Sequence, residues 1–356
     1  MGSLSSKSEN KNFVELNDKN VDKNIDKNVA NGKGTLTYAN LPVGVVSVNY
    51  NGKFNNSLRH GDGTLKIIDD LSATTITGTW INDRIHNGTL ENELIKYIGD
   101  FKVNDTLKQI IRSEFEAHGK GIIFYNGGGI YNGEIDTNVR NGKGKLTLSS
   151  GGSYDGTWND GKLYGICKVT HKDRGTYEGE IAEFDRHGQG IMNYNNGDIY
   201  NGEWKNDLRN GNGKLTLKGG GSYDGTWKDS DLYGICIIIC NDGGVYRGEV
   251  KKFDRCGRGI MKYNNGNIYD GDWKNDSRNG KGIMKYSNGD IYDGDWINNV
   301  QIGNGIMKYN NGNIYDGEWK NGLYNGIGQY TYIKANTRCI GFWVDGKPTS
   351  SIWKDI

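Results

Sequence analysis

Large side chains alternate with glycine or polar residues over most of this chain. Two sets of positions spaced by two occur in residues 269–291: Tyr269, Gly271 and Trp273, then Gly280, Gly282, Met284 and Tyr286. Residues spaced by two lie on one face of a β-strand. The polar segment KNDSRN separates the two sets and favours a turn. The pattern therefore predicts a β-hairpin made of two strands and one turn.

The hairpin pattern returns every 23 residues. The motif Tyr-x-Gly starts strong copies at Tyr131, Tyr154, Tyr177, Tyr200, Tyr223, Tyr246, Tyr269, Tyr292 and Tyr315. Weaker copies start at Tyr50, Ile76, Tyr97 and Cys339. A fixed period of this length is typical of proteins in which each repeat packs only against its neighbours. We expect the hairpins to pair side by side into one antiparallel sheet.

A longer period of 69 residues, equal to three repeats, lies over the first. In the middle repeat of each block, a cysteine stands where other repeats have a second glycine: Cys167 and Cys236. The third repeat of each block adds a phenylalanine at matching positions: Phe184 and Phe253. We interpret this longer period as the duplication of a block of three repeats.

The repeat sequences resemble those of a known family. YNGEWKNDLRNGNGKLTLKGGGS at residues 200–222 and YDGDWKNDSRNGKGIMKYSNGDI at residues 269–291 are similar to MORN (membrane occupation and recognition nexus) repeats. The YxGxW start, the GxG midpoint and the period carry the resemblance, which covers about residues 50–346. It implies an all-β fold, an elongated single-layer antiparallel sheet of tandem hairpins with a groove along it.

The abundance of glycine beside large rings has a physical explanation. A glycine inside a strand is unfavourable by about 1 kcal/mol relative to residues that can pack. It also leaves bare backbone that a neighbouring aromatic ring can cover. Because a Tyr or Trp side chain buries roughly 150–250 Å², this covering outweighs the loss. We therefore expect rings to lie over strand glycines, and we expect a single repeat not to fold alone.

The pattern divides the chain into four segments. These are a flexible polar tail (1–28), N-terminal capping strands (29–49), the repeat array (50–338) and a degenerate last repeat with a C-terminal cap (339–356). An altered terminal repeat is expected because an open strand edge favours aggregation.

Eleven extra residues lie between the repeats that start at Tyr97 and Tyr131. Apolar residues recur there at helical spacing: Leu107, Ile110, Ile111 and Phe115. The spacing predicts a short helix at about 104–117. Two roles remain open for this helical insertion: covering the weakly packed early repeats, or docking a partner.

The N-terminus contains a lipidation motif. Gly2 and Ser6 fit the myristoylation pattern M-G-x-x-x-[ST], and the alternative is that MGS is a cloning remnant. A single myristoyl chain binds a membrane only marginally, so a second signal is needed. Residues 1–28 hold five Lys and five Asp or Glu, which is not a polybasic signal. We expect a cytoplasmic protein that lies on a membrane where Gly2 is acylated.

Composition and motifs narrow the functional classes. The net charge of +1 gives no bulk electrostatic case for binding nucleic acid. The five cysteines form no CxxC pair and are typical of reduced cytosolic thiols. HExxH, nucleophile-elbow and Walker motifs do not occur in the sequence. We therefore expect no catalytic residue, no metal and no cofactor.

The resemblance and the rings lead to a functional hypothesis. We expect a non-enzymatic scaffold or adaptor that binds a protein partner along an aromatic groove, at a membrane or a cytoskeletal structure. The expected groove residues are Tyr200, Trp204, Tyr223, Trp227, Tyr269, Trp273, Tyr292, Trp296, Tyr315 and Trp319. The alternatives are a peripheral module that binds phospholipid directly, and a bacterial effector or architectural homodimer.

Overall fold

The computed structural model describes residues 23–25, 31–38, 41, 44–70, 72–102 and 116–355. Within these ranges every regular element is a β-strand. The chain forms two compact units, Met1–Leu163 and Tyr164–Ile356. In each unit consecutive strands pair antiparallel, which confirms the predicted all-β fold of tandem hairpins.

The described part of the N-terminal unit contains eleven strands. Its strands are β1 (Lys23–Ile25), β2 (Gly32–Tyr38), β3 (Val45–Asn55), β4 (Leu58–Asp69), β5 (Ala73–Ile81), β6 (Arg84–Glu91), β7 (Ile95–Lys102), β8 (Glu116–Tyr125), β9 (Ile130–Asp136), β10 (Val139–Thr147) and β11 (Ser153–Asn159).

The C-terminal unit has the same hairpin pattern, with strands of more uniform length. They are β12 (Lys162–His171), β13 (Gly175–Ala182), β14 (Asp185–Tyr194), β15 (Ile199–Lys205), β16 (Leu208–Thr216), β17 (Ser222–Lys228), β18 (Asp231–Ile239), β19 (Val245–Lys251), β20 (Asp254–Lys262), β21 (Ile268–Lys274), β22 (Ser277–Lys285), β23 (Ile291–Ile297), β24 (Val300–Lys308), β25 (Ile314–Lys320), β26 (Leu323–Tyr332), β27 (Thr337–Val344) and β28 (Lys347–Asp355).

Three sequence predictions fall largely outside the described residues. The lipidation site Gly2 lies there, and so does the polar tail except for the short strand β1. The predicted helix at about 104–117 also lies there, except that its last two positions already belong to β8.

Each hairpin is closed by a turn that requires left-handed backbone conformations. In the hairpin β21–β22 the turn residues Asn275 and Asp276 have φ angles of 47° and 63°. Positive φ at both central residues is the type I′ geometry, which matches the twist of paired strands. Asn and Asp tolerate this conformation better than most residues, which explains why the turns are rich in them.

A bulge follows each turn and shifts the register of the hairpin. Between Gly271 and Trp273 the pairing with β22 moves, and Gly280 there has a φ of 106°. The shift frees the backbone N–H of Lys281, which donates to the Asp272 carboxylate at 3.0 Å. In the repeats that carry an acidic residue before the tryptophan position, its carboxylate therefore accepts from the backbone N–H that the bulge leaves unpaired.

Alternation gives the sheet two different faces. Tyr269, Gly271 and Trp273 are buried on one face, which we call the aromatic face. Asp270 and Lys274 project from the other, which we call the charged face, and both are exposed. The core of the protein therefore lies on the aromatic face and consists mainly of rings.

The glycines provide the space in which these rings lie. Gly271 and Gly282 face each other across β21 and β22, and the Tyr269 ring covers both. A Cβ atom added at Gly282 would overlap the Tyr269 hydroxyl. The structure thus shows rings over strand glycine, with the tyrosine covering the glycine pair of its own hairpin.

Candidate functional site

In the regular repeats, the ring of the first tyrosine is buried and its hydroxyl is hydrogen-bonded. The Tyr269 ring is fully buried, and its hydroxyl donates to the backbone oxygen of Asp272 at 3.0 Å. The same bond is made by Tyr131, Tyr177, Tyr200, Tyr246, Tyr292 and Tyr315. Burial raises the pKa of these hydroxyls, to about 12 for Tyr131. Such tyrosines act as rigid structural groups rather than as acids at neutral pH.

Each tryptophan at this repeat position bonds its repeat to the one before it. The indole Nε1 of Trp296 donates to the backbone oxygen of Gly282 at 3.0 Å. The same bond joins Trp158 to Gly144, Trp204 to Gly190, Trp227 to Gly213, Trp273 to Gly259, Trp319 to Gly305 and Trp343 to Gly328. The Trp296 ring also meets two tyrosine rings edge to face, Tyr269 at 5.5 Å and Tyr292 at 5.1 Å. The rings from Tyr246 to Trp343 therefore form a continuous ladder.

Arginines cover this ladder on the side open to solvent. The Arg255 guanidinium lies 4.4 Å from the centre of the Trp273 ring. Its Nε donates to the Asp276 carboxylate at 2.9 Å, and Asp276 belongs to the turn of the next hairpin. Arg186 makes the same contacts with Trp204 and Asp207. Each arginine thus combines a cation–π contact with an ion pair across repeats.

A second tyrosine column was not identified from the sequence. It lies 17 residues after the first tyrosine of its repeat and consists of Tyr194, Tyr263, Tyr286 and Tyr309. These rings are partly buried rather than fully buried, and burial raises the pKa of Tyr309 to about 12. Both this column and the arginines recur with the 23-residue period. That recurrence is the signal by which the sequence alone would have revealed them.

A groove of about 390 Å³ opens on the aromatic face of the C-terminal unit. Its lining combines arginines and aspartates with rings and turn amides: Asp173, Arg174, Arg186, Met192, Tyr194, Asn195, Asn196, Trp204, Asp207, Arg209 and Ser230. The groove therefore has an aromatic floor and a polar rim, which suits an extended polypeptide better than a small apolar ligand.

The rings expected to bind a partner lie mostly beneath this surface. Nine of them are buried: Tyr200, Trp204, Trp227, Tyr269, Trp273, Tyr292, Trp296, Tyr315 and Trp319. Tyr223 is partly buried. A partner approaching the aromatic face would first meet the arginines and the second tyrosine column. The role of the ten rings in partner binding stays a prediction.

Tyr223 differs because its repeat has lost a glycine. The Cys236 side chain lies over Gly225, where a tyrosine hydroxyl lies in regular repeats. Its thiol donates to the Tyr233 backbone oxygen at 3.2 Å. The displaced Tyr223 ring packs edge to face against Phe253 at 5.5 Å. The replacement of glycine by cysteine thus leaves the tyrosine of this repeat partly exposed on the aromatic face.

Phe253 occupies the turn position that carries aspartate in regular hairpins. Its φ of 71° is unfavourable for a bulky residue, and its ring lies 5.6 Å from that of Trp227. The residue 21 positions earlier is the buried Leu232, in place of arginine. An apolar pair has therefore replaced the arginine–aspartate pair of the regular repeats.

Within the described ranges, no helix has the length and apolar character needed to span a membrane. The same ranges contain no group of three or more His, Cys, Asp or Glu residues arranged to hold a metal ion.

Comparison with known proteins gives one family match. A family model described as MORN repeat matches ten segments of the chain: residues 26–41, 50–69, 131–153, 154–176, 177–199, 200–222, 246–268, 269–291, 292–314 and 315–336. The repeat that holds Tyr223 and Cys236 is not among these segments.

No curated protein matches this chain. One solved structure that the comparison aligns with this chain is the SAS-4 (dCPAP) TCP domain in complex with a proline rich motif of Ana2 (dSTIL) of Drosophila melanogaster. It is 18% identical to this chain, and the alignment covers 50% of this chain and 85% of that chain with a TM-score of 0.26.

Proposed function

Because this chain belongs to the MORN-repeat family, we propose that it is a non-enzymatic scaffold that binds a segment of a partner protein along its aromatic face. MORN repeats form binding modules of the scaffold type, and they fill most of the described sequence. The partner would lie across the strands and contact several repeats at once. An extended sheet face offers such a segment a large area at little conformational cost.

The observation that carries the proposal is the column of partly buried tyrosines beside the arginines. Tyr263, Tyr286 and Tyr309 are partly buried and present rings of low conformational entropy to solvent. Arg255 and Arg278 are fixed over tryptophan rings at 4.4 Å. Tyr, Trp and Arg are the residues enriched at binding hot spots.

Location is a second part of the proposal. Acylation of Gly2 would hold the scaffold at a membrane, together with a second signal from a bound partner or from the repeats. The intact mass of the protein from its native cell tests this part. An added 14-carbon acyl group supports it, and an unmodified N-terminal glycine contradicts it.

Site-specific photo-crosslinking in cells tests the binding face. A benzophenone amino acid placed at Tyr286 reports on the aromatic face, and the same group at Asp270 on a neighbouring strand reports on the charged face. We expect crosslinked adducts with other proteins from position 286 and few from position 270. Equal adducts from both positions, or adducts from position 270 alone, would contradict binding along the aromatic face.

A further inference from the structure

Arginines that occupy the same position in four repeats of the C-terminal unit differ in their partners. Each guanidinium lies over the tryptophan of the next repeat at 4.1–4.4 Å: Arg186, Arg209, Arg255 and Arg278. The residue 21 positions after each arginine lies in the next hairpin turn and contacts that arginine. In the same order, these turn residues are Asp207, Ser230, Asp276 and Asn299. Two of the four arginines therefore have an acidic turn partner and two have a neutral one.

Arg209 has the least complete set of acceptors. One of its guanidinium nitrogens, Nη2, donates to the Ser230 backbone oxygen at 3.0 Å. The Ser230 hydroxyl accepts from the backbone N–H of Arg209, at 3.2 Å, and not from its side chain. The Nε–H of Arg209 therefore has no acceptor among the described residues, whereas the Nε–H of Arg186 donates to Asp207.

Arg278 provides the comparison with the other neutral partner. Its Nε donates to the Asn299 side-chain oxygen at 3.3 Å, so the amide replaces the carboxylate as acceptor. Arg209 is distinct because serine is too short to reach the same nitrogen. Burial lowers the pKa of the Arg209 guanidinium, and the nearby Asp231 carboxylate offsets only part of that shift. That carboxylate nevertheless lies more than 4 Å from the guanidinium nitrogens.

Arg209 and Ser230 both line the open groove of the C-terminal unit. Three arginines and two aspartates line this groove, so it carries an excess of one positive charge. Arg186 is already paired with Asp207 there. A guanidinium that is partly buried gains more from an added carboxylate than one in free solution, because the surrounding medium screens the interaction less.

We infer that Arg209 binds a carboxylate side chain of the partner segment that lies in this groove. The inference rests on the proposed function and adds to it a chemical preference: an Asp or Glu of the partner takes the place that Asp207 holds beside Arg186. The Nε–H of the Arg209 guanidinium donates to the carboxylate, and the Trp227 ring below keeps the guanidinium in position. The partner is thus an extended segment with an acidic residue at one defined position.

The test uses a phage-displayed library of random 16-residue peptides, selected on the immobilised full chain. Three proteins are compared: the natural chain, Ser230→Asp and Asn299→Asp. The first variant gives Arg209 an internal carboxylate without removing the arginine. Aspartate fits this turn position, since Asp276 has a φ of 63° and Ser230 a φ of 71°. Asn299→Asp makes the same charge change at the matched turn beside Arg278, whose Nε already has an acceptor.

We expect the natural chain and Asn299→Asp to select peptides with Asp or Glu enriched at one position. We expect Ser230→Asp to lose that enrichment, and to bind a selected acidic peptide about tenfold or more weakly. The variant Arg209→Gln should show the same loss. Thermal unfolding of all the variants reports whether each remains folded.

Each other outcome would overturn the inference. If acidic residues remain enriched in peptides selected by Ser230→Asp, or if the enrichment falls equally in Asn299→Asp, then Arg209 does not bind the carboxylate. Either result leaves the proposed partner binding uncontradicted. Failure of the natural chain to select any peptide contradicts both the inference and the proposed function. A third outcome is that the natural chain sediments with phosphatidylserine vesicles, Ser230→Asp does not, and no acidic peptide is selected. The site would then bind a lipid headgroup.

Discussion

The indole nitrogen of Trp296 is bonded to the backbone oxygen of Gly282 at 3.0 Å, and the two residues belong to successive repeats. The tryptophan is almost completely buried, so its N–H depends on this acceptor. Gly282 also faces Gly294 on the strand of Trp296, which leaves room for the indole to approach the backbone. Where a repeat carries this tryptophan, the indole N–H is thus hydrogen-bonded to the repeat before it.

Replacing this tryptophan should weaken the junction between repeats. We expect Trp296→Phe to lower the free energy of unfolding by about 2–4 kcal/mol, because it removes a buried hydrogen bond and leaves a cavity. Urea denaturation followed by circular dichroism measures the change. The exposed Trp353 is the control, and Trp353→Phe should change stability by less than about 0.5 kcal/mol. Equal losses in both variants would show that the indole bond is unimportant.

Glycine under a tyrosine ring should not tolerate a side chain. In the N-terminal unit we expect Gly144→Ala to cost about 1–3 kcal/mol, since its Cβ atom would overlap the Tyr131 hydroxyl. Gly127 in the same unit is exposed and has no atom within 4 Å of an added Cβ, so Gly127→Ala should be nearly neutral. Differential scanning calorimetry compares the two variants. Similar melting temperatures would contradict the packing described for Tyr131.

Restoring the missing glycine should return Tyr223 to the core. We expect Cys236→Gly to let the Tyr223 ring move over the bare backbone at Gly225, as Tyr200 does in its own repeat. Hydroxyl-radical footprinting should then show less oxidation of Tyr223, while Tyr200 stays protected throughout. Cys236→Ser, which retains a side chain at this position, is the control. Unchanged oxidation of Tyr223 in Cys236→Gly would mean that the thiol does not displace the ring.

Alkaline pH should destabilise the array. Burial raises the pKa of Tyr50, Tyr97 and Tyr131 to about 12, against an unfolded value of about 10. Between these values the folded protein keeps protons that the unfolded chain releases. These groups should therefore make the free energy of unfolding independent of pH below about pH 10, and should make it fall as the pH rises from about 10 to 12.

Urea midpoints measured from pH 8 to 12 check this dependence. The variant Tyr131→Phe lacks one of the three hydroxyls, so its midpoint should fall less steeply above about pH 10. Parallel curves for the two proteins would show that Tyr131 does not contribute to the alkaline loss.

The sequence was sufficient to predict the strands but not the contacts between repeats. The two alternating segments of residues 269–291 correspond to β21 and β22, because alternation directly reports which residues share a face. The bond from Trp273 to Gly259 was not predictable, since it depends on the register between β20 and β21. The register is a property of two paired strands, so the sequence of one repeat does not determine how it pairs with the next repeat.

The arginine column illustrates a different limit. Arg186 and Arg209 recur at the repeat period, but Leu232 interrupts the series and hides it. The interruption is explained only when Phe253 is found at the turn that would otherwise hold an acidic partner. The cysteine at position 236 was recognised from sequence, yet its effect on Tyr223 follows from the volume it fills over Gly225.

The backward direction of the tryptophan bonds has a consequence for synthesis of the protein. A hairpin that leaves the ribosome finds its acceptor carbonyl and its aromatic neighbour in the hairpin completed just before it, as Trp319 finds Gly305. The nascent chain can therefore extend the sheet vectorially, with each finished repeat serving as the template for the next.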